Sequence, residues 1–274
     1  MNSHITLPKS FIKQFYSKDK KLYRLLIKEE RVENITTRQT KIFTEEDFYS
    51  SINEDVISKR IETVLGKVRK AFSEINLEKP SVFLQDEALK NLDEALTLQF
   101  ARIDGFLSKT KAHSLIALYS NFSNNDIMSY ILSNKIKFKD VFQDRIKGLL
   151  INKTTLPFIV SKDIFSNINI QEETGFIFPL SKKVAIIIFS PSHSFVSLNR
   201  NQVELETDSH NNYMSMNAVV ITKSKVITYI NQQIIYSEIQ SQMRGKNGFV
   251  IGEKNVLDSL KQHLSKQKDE IINS

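Results

Sequence analysis

Polar and apolar residues change rhythm twice along this chain. Through residues 20–49 the pattern is strand-like. Lys21 to Lys28 (KLYRLLIK) reads as one strand, Glu29-Glu30 as a turn, and Arg31 to Phe43 as the return, carrying Val32, Ile35 and Ile42. The turn holds neither Gly nor Asn, the residues that most readily take a left-handed backbone position. From Asn53 to Asn152 the repeat lengthens to that of a helix. Val56, Ile57, Ile61, Val64, Leu65, Val68, Phe72 and Ile75 form one apolar stripe, with Asn53 or Asp55 as its cap. Pro80-Ser81 interrupts it. The spacing predicts a second helix over 85–107, with Leu89, Leu92, Leu96, Phe100, Ile103 and Phe106 inward, and two more over 111–119 and 125–150.

The second change comes at Leu156. Pro157 to Ser161, Gly175 to Phe178 and Val184 to Phe189 read as strands, the last buried on both faces because it is apolar throughout. Ser194 to Leu198 and Gln202 to Glu206 are two further candidates. Met216 to Gln242 reads as a long helix in spite of the β-branched run Val219-Val220-Ile221. Residues 246–252 form a turn and a short strand, and a last helix starts at Asn255. The first sixteen residues carry Phe11, Ile12, Phe15 and Tyr16, enough apolar surface to tie down a terminus that is normally frayed. No repeat and no Gly/Ser/Pro linker separates these zones. The expectation is one α+β domain over 1–274: an N-terminal β-hairpin within 1–50, a central helical bundle in 53–152, and a C-terminal mixed β-sheet with flanking helices in 156–274.

Composition then narrows the chemistry. The chain has 274 residues and no cysteine, which excludes disulfides, thiolate metal sites and a cysteine nucleophile. No basic stretch followed by a long apolar run opens it, and its longest strongly apolar run, Val184 to Phe189, is far short of the roughly 20 residues of a membrane span. A cytoplasmic location without membrane contact is the expectation. The formal net charge is +7 and the pI about 9.3, which makes nucleic acid the first partner to consider. The Lys, Asn and Ile usage of an AT-rich genome would raise the charge equally well with no such partner.

Several short motifs run along the chain in order. Pro8, Phe11, Ile12 and Phe15 fit Pro-x-x-[Tyr/Phe]-[Leu/Ile]-x-x-Phe, with His4 four residues before the proline. Leu22-Tyr23 is followed by Asp47-Phe48-Tyr49, then Gln99-Phe100-Ala101-Arg102, then Leu156 to Asp163 (LPFIVSKD), then Phe178-Pro179-Leu180-Ser181, and finally Asn217 and Ile235-Tyr236-Ser237. On these residues the chain resembles the bacterial domain-of-unknown-function family 4238, over nearly its whole length. Within that resemblance Lys162 falls where the family usually has aspartate, so an aspartate's part would pass to Asp163 one position later. The family lends no established activity.

Five residues in these motifs carry usable chemistry. His4 titrates near neutrality and suits acid–base work or metal ligation. Gln99 and Arg102 stand three apart, on one helix face, and a guanidinium fork matches a phosphate or carboxylate. Ser161 and Asp163 close a predicted strand. Brought together, they would suit a hydrolase acting on nucleic acid or another phosphate-bearing substrate, with Asp163 as orienting group or ligand to a divalent metal. Structural roles stand beside this reading: Arg102 paired with a buried carboxylate, Gln99 on an orphan carbonyl, Asp163 as a turn residue. The alternative function is a non-catalytic basic module that binds nucleic acid or an acidic protein partner. Asp208-Ser209-His210, Ser192-His193-Ser194 and Arg244 to Gly248 read as loops and caps. The chain has no dinucleotide, Walker, zincin or nucleophile-elbow motif.

Overall fold

A computed structural model describes residues 3–5, 9–35, 44–46, 51–73, 82–83, 86–101, 125–126, 129, 132–133, 146–170, 173–189, 215–243 and 248–272. Its centre is the apolar run that the sequence marks as buried on both faces. This strand, β10 (Val184–Phe189), is buried at all six positions. Alternate side chains enter two different cores: Val184, Ile186 and Ile188 one, Ala185, Ile187 and Phe189 the other. The pleat sends successive residues to opposite faces, so a strand with no polar position needs a layer of helix on each side.

Those layers come from opposite ends of the chain. The first core is closed by α1 (Lys9–Ile12) and the turn after it, by α2 (Ser51–Ser73) and by α3 (Asp86–Ala101), through Phe11, Ile57, Ile61, Leu92 and Leu96. The second is closed by α4 (Ser224–Met243) and α5 (Lys254–Ile272), through Ile227, Ile230, Ile234, Leu257 and Leu260. Each such side chain contributes about 1.5–3 kcal/mol on burial. The mixed α+β class read from the sequence is the class of the fold.

Around β10 lie β5 (Val82–Phe83), β6 (Ile146–Asn152), β8 (Ser166–Ile170), β9 (Glu173–Pro179) and β11 (Ser215–Ile221). They form a six-stranded sheet in the order β5-β11-β6-β10-β9-β8, in which only β11 and β6 run parallel. A four-stranded sheet has the order β3-β2-β12-β7, with β2 (Leu22–Leu26), β3 (Arg31–Ile35), β7 (Val160–Ser161) and β12 (Phe249–Gly252). The expected hairpin is β2–β3. Its turn solves the missing glycine by putting Glu30 at φ 49. Arg24 pairs across the ladder with Glu33, directly opposite in register, and its guanidinium stands 5.6 Å from the centre of the Phe249 ring. The C-terminal β12 thus locks the N-terminal hairpin to the rest. A small ladder joins β1 (Ser3–Ile5) to β4 (Thr44–Glu46).

Five expectations need correction: the strand expected over 157–161 is one only at Val160–Ser161, and α2 starts at Ser51, ahead of the expected caps Asn53 and Asp55. The helix expected over 125–150 gives way to strand β6 at Ile146, although residues 125–126, 129 and 132 are helical. The helix expected over 216–242 is a strand, β11, up to Ile221, and becomes helical only at Ser224. Val56 lies off the buried stripe of α2, with 37% of its surface exposed. The candidate elements at 111–119, 194–198 and 202–206 lie outside the described residues. Among the described residues no helix is long and apolar enough to cross a membrane.

Candidate functional site

The segment after β7 departs from ordinary backbone. Ile164 has φ 68, an outlier for a β-branched residue. Ile164 N donates to Ser161 O at 3.1 Å, and Phe165 N donates to Asp163 O at 2.8 Å. The second bond spans two residues about a positive-φ centre, a strained γ-turn. Such a conformation costs about 1–3 kcal/mol and persists only where the surroundings hold it. Here they do, because Ile164 and Phe165 are buried in the first core. The fully buried Ser161 hydroxyl donates to Phe165 O at 3.5 Å, and Lys162 N donates to Phe249 O at 3.0 Å. The half-buried Asp163 stands at the tip of this turn.

A cluster of phenylalanines gathers three distant segments at this turn. Phe165 stacks on Phe178 at 4.8 Å between ring centres, with 15° between planes. Phe11, from the N-terminal motif, reaches the same Phe178 ring at 5.9 Å. Phe100, beside Gln99, meets Phe165 edge-on at 5.6 Å and Phe176 at 5.7 Å. Offset and edge contacts of this kind contribute about 0.5–1.5 kcal/mol each beyond the area they bury.

The five sequence-nominated residues fall as follows. Gln99 is buried in the last turn of α3, on the same stripe as Leu92 and Leu96. Arg102 is the next residue after the end of α3 and lies outside the described residues. Ser161 and Asp163 belong to the turn itself. His4 is in β1, with its Cα opposite that of Glu45, five residues before α1. The cluster brings the end of α3, which carries Gln99, to the turn of Ser161 and Asp163; from the N-terminal motif it receives Phe11, whereas His4 is placed only by its pairing with β4. Among the described residues no group of three His, Cys, Asp or Glu side chains is placed to hold a metal ion.

Polar residues that the sequence reading did not single out hold the framework behind the turn. Asn231 of α4 is fully buried. Its Nδ2 donates to Pro157 O at 3.0 Å and its Oδ1 accepts from Ile159 N at 3.2 Å, closing the irregular backbone before β7. Asn152 donates to Leu156 O at 2.6 Å and accepts from Thr154 N at 2.9 Å. Glu238 is buried on the face of α4 that meets Gly248, where a Cβ would come within 2.6 Å of its Oε2. One signal could have found Asn231 and Glu238: each is a polar residue at a position where the helical period calls for an apolar one.

Fold and site together define an α+β protein in which Phe11, Phe100 and Phe178, from three of the sequence motifs, gather around one strained turn. Residues 4–239 match the family described as Protein of unknown function (DUF4238), and the chain belongs to that family. No curated protein and no solved structure matches it significantly.

Proposed function

We propose that this protein is a hydrolase acting on nucleic acid or another phosphate-bearing substrate, with its site at the turn after β7. The observation that supports this reading is the convergence of Phe11, Phe100 and Phe165 on neighbouring rings. It draws together Phe11 of the N-terminal motif, the end of α3 before Arg102, and the turn of Asp163, with His4 seven residues before Phe11 in the chain. In this reading Arg102 clamps phosphate, His4 moves a proton, and Asp163 orients the attacking group. Gln99 and Ser161 are positioning residues, since both are buried and Ser161 spends its hydroxyl on the turn.

The test is a cleavage panel of single- and double-stranded DNA and RNA, each with Mg²⁺, Mn²⁺ or chelator. Arg102→Ala and His4→Ala should each lose cleavage by about 100-fold or more while their unfolding curves stay those of the parent. Absence of cleavage on every substrate, or cleavage indifferent to both substitutions, would overturn the assignment.

A further inference from the structure

We propose that the end of the sheets where β6, β11 and β12 finish binds the phosphate backbone of nucleic acid, on a surface of lysines separate from the turn after β7. Ordinary contacts join the segments that form this end. Lys153 N donates to Ile221 O at 2.9 Å, which sets the end of β6 beside the end of β11. Lys183 Nζ donates to Thr154 O, and Phe158 N to Lys182 O at 3.0 Å, which brings in the β9–β10 turn. Lys182 Nζ meets Glu253 Oε1 at 2.7 Å, which brings in the end of β12.

The result is a concentration of one charge. Lys153, Lys182, Lys183, Lys223, Lys225 and Lys254 all lie here, and all but the part-buried Lys182 are exposed. Against them stand Glu253 and, one turn into α5, Asp258, which pairs with Lys254 at 2.7 Å. A further basic run, Lys18-Asp19-Lys20-Lys21, approaches from the start of β2, because Tyr23 is paired with Gly252. β11, β6 and β10 are neighbouring strands about 4.8 Å apart, so the backbone of Lys223 and Lys153, just after the first two, and of Lys183, just before the third, spans roughly 10 Å. Flexible lysine side chains on that span can reach neighbouring phosphates along a DNA backbone.

Folding alone does not favour this placement. Both α4 and α5 begin at this end with no acidic residue in the first turn, and both carry lysine there instead. A cation at the positive end of a helix is unfavourable. Burial lowers the pKa of Lys183, Glu253 raises it in part, and Lys182 lowers it by less. An anion laid across this end would offset the cations at the starts of both helices. Lysine offers point charges without a bidentate fork, which fits recognition of backbone charge without readout of sequence.

This surface stands at the finish of β12, whereas the turn after β7 meets β12 at its start. Binding measured in chelator therefore tests it independently of hydrolysis. The experiment titrates the full chain into a fluorescent DNA duplex of about 20 base pairs at several salt concentrations. The variant K153Q/K223Q/K225Q is compared with K28Q/K67Q/K261Q, which removes the same charge from exposed positions elsewhere. The first triple should weaken binding roughly tenfold or more near 0.1 M salt and flatten the log–log salt slope by about two to three, whereas the second should leave both near the parent. Equal effects of the two triples, or a parent that does not bind at low salt, would overturn the proposal. So would tighter binding to vesicles containing phosphatidylserine than to DNA, lost in the same variant, which would make the partner a membrane surface.

Discussion

At the scale of single residues, the informative positions are polar side chains on otherwise apolar faces. Asn231 sits among Ile227, Ile230 and Ile234 and is fully buried. Its amide satisfies one donor and one acceptor of a stretch that no strand pairs. Asn231→Leu keeps the branched heavy-atom shape, though not the volume, and removes both bonds, leaving Ile159 N–H and Pro157 C=O buried and unpaired. Such orphaned groups cost about 1–3 kcal/mol apiece, so urea unfolding should show a loss of about 2–6 kcal/mol. A loss below about 1 kcal/mol would mean that water or a rearranged backbone replaces the amide. The site was only half legible at this scale. Gln99 could be placed on a helix and Ser161 at a strand end, but that the Ser161 hydroxyl would be fully buried facing Phe165 O depended on Ile164 at φ 68. No local propensity of isoleucine announces that conformation. It is imposed by the burial of Ile164 and Phe165.

At the scale of elements, α4 does for strand β8 what a further strand would otherwise do. β8 is the outer strand of the six-stranded sheet, and a bare edge invites pairing with other chains. Its outward groups are taken instead by helix side chains. Asn167 N donates to Ser237 Oγ at 3.0 Å, Asn169 N to Gln233 Oε1 at 3.3 Å, and Tyr229 Oη donates to Asn169 O at 2.7 Å. Burial raises the Tyr229 pKa above its ordinary 10.0. The phenol donates only while protonated, and the unfolded chain ionises first. The stability due to Tyr229 is therefore complete below pH 10.0 and is lost as pH rises through the higher folded value. Tyr229→Phe should cost about 0.5–1.5 kcal/mol at neutral pH, and the gap between parent and variant should close in strongly alkaline buffer. A gap that stays constant in denaturant melts across that range would show that the hydroxyl contributes nothing to the edge.

The same scale explains which elements could be read beforehand. Strand β10 is a short apolar run set off by Lys182-Lys183 before it, too short for a helix, and hairpin β2–β3 and helix α5 carry patterns of one period only. Strand β6 does not: Leu149 and Leu150 are adjacent and both buried, one in each core, so the strand has no alternation to distinguish it from a continued helix. In β11 the signal was present in Val219-Val220-Ile221, three β-branched residues that suit a pleated neighbour of β6 better than a helix.

At the scale of the molecule, the sheets separate two cores that should respond independently. Phe11 and Phe165 lie in the first, and both rings contact Phe178. Ile234 lies in the second, on the far side of the sheets. Side chains that share a packing partner couple by about 0.5–3 kcal/mol, whereas distant ones add within about 0.3–0.5 kcal/mol. A double-mutant cycle of Phe11→Leu with Phe165→Leu should therefore depart from additivity by at least about 0.5 kcal/mol, and a cycle of Phe11→Leu with Ile234→Val should not. Truncating Phe11 also frees the N-terminal segment from the ring cluster on which the proposed hydrolytic site depends. Phe11→Leu should consequently lower cleavage by more than its effect on stability accounts for, while Ile234→Val lowers stability alone. Coupling across the sheets as large as that within the first core would show that the chain packs as one continuous core. The convergence of the motif segments would then be a general consequence of packing and no longer an argument for a site.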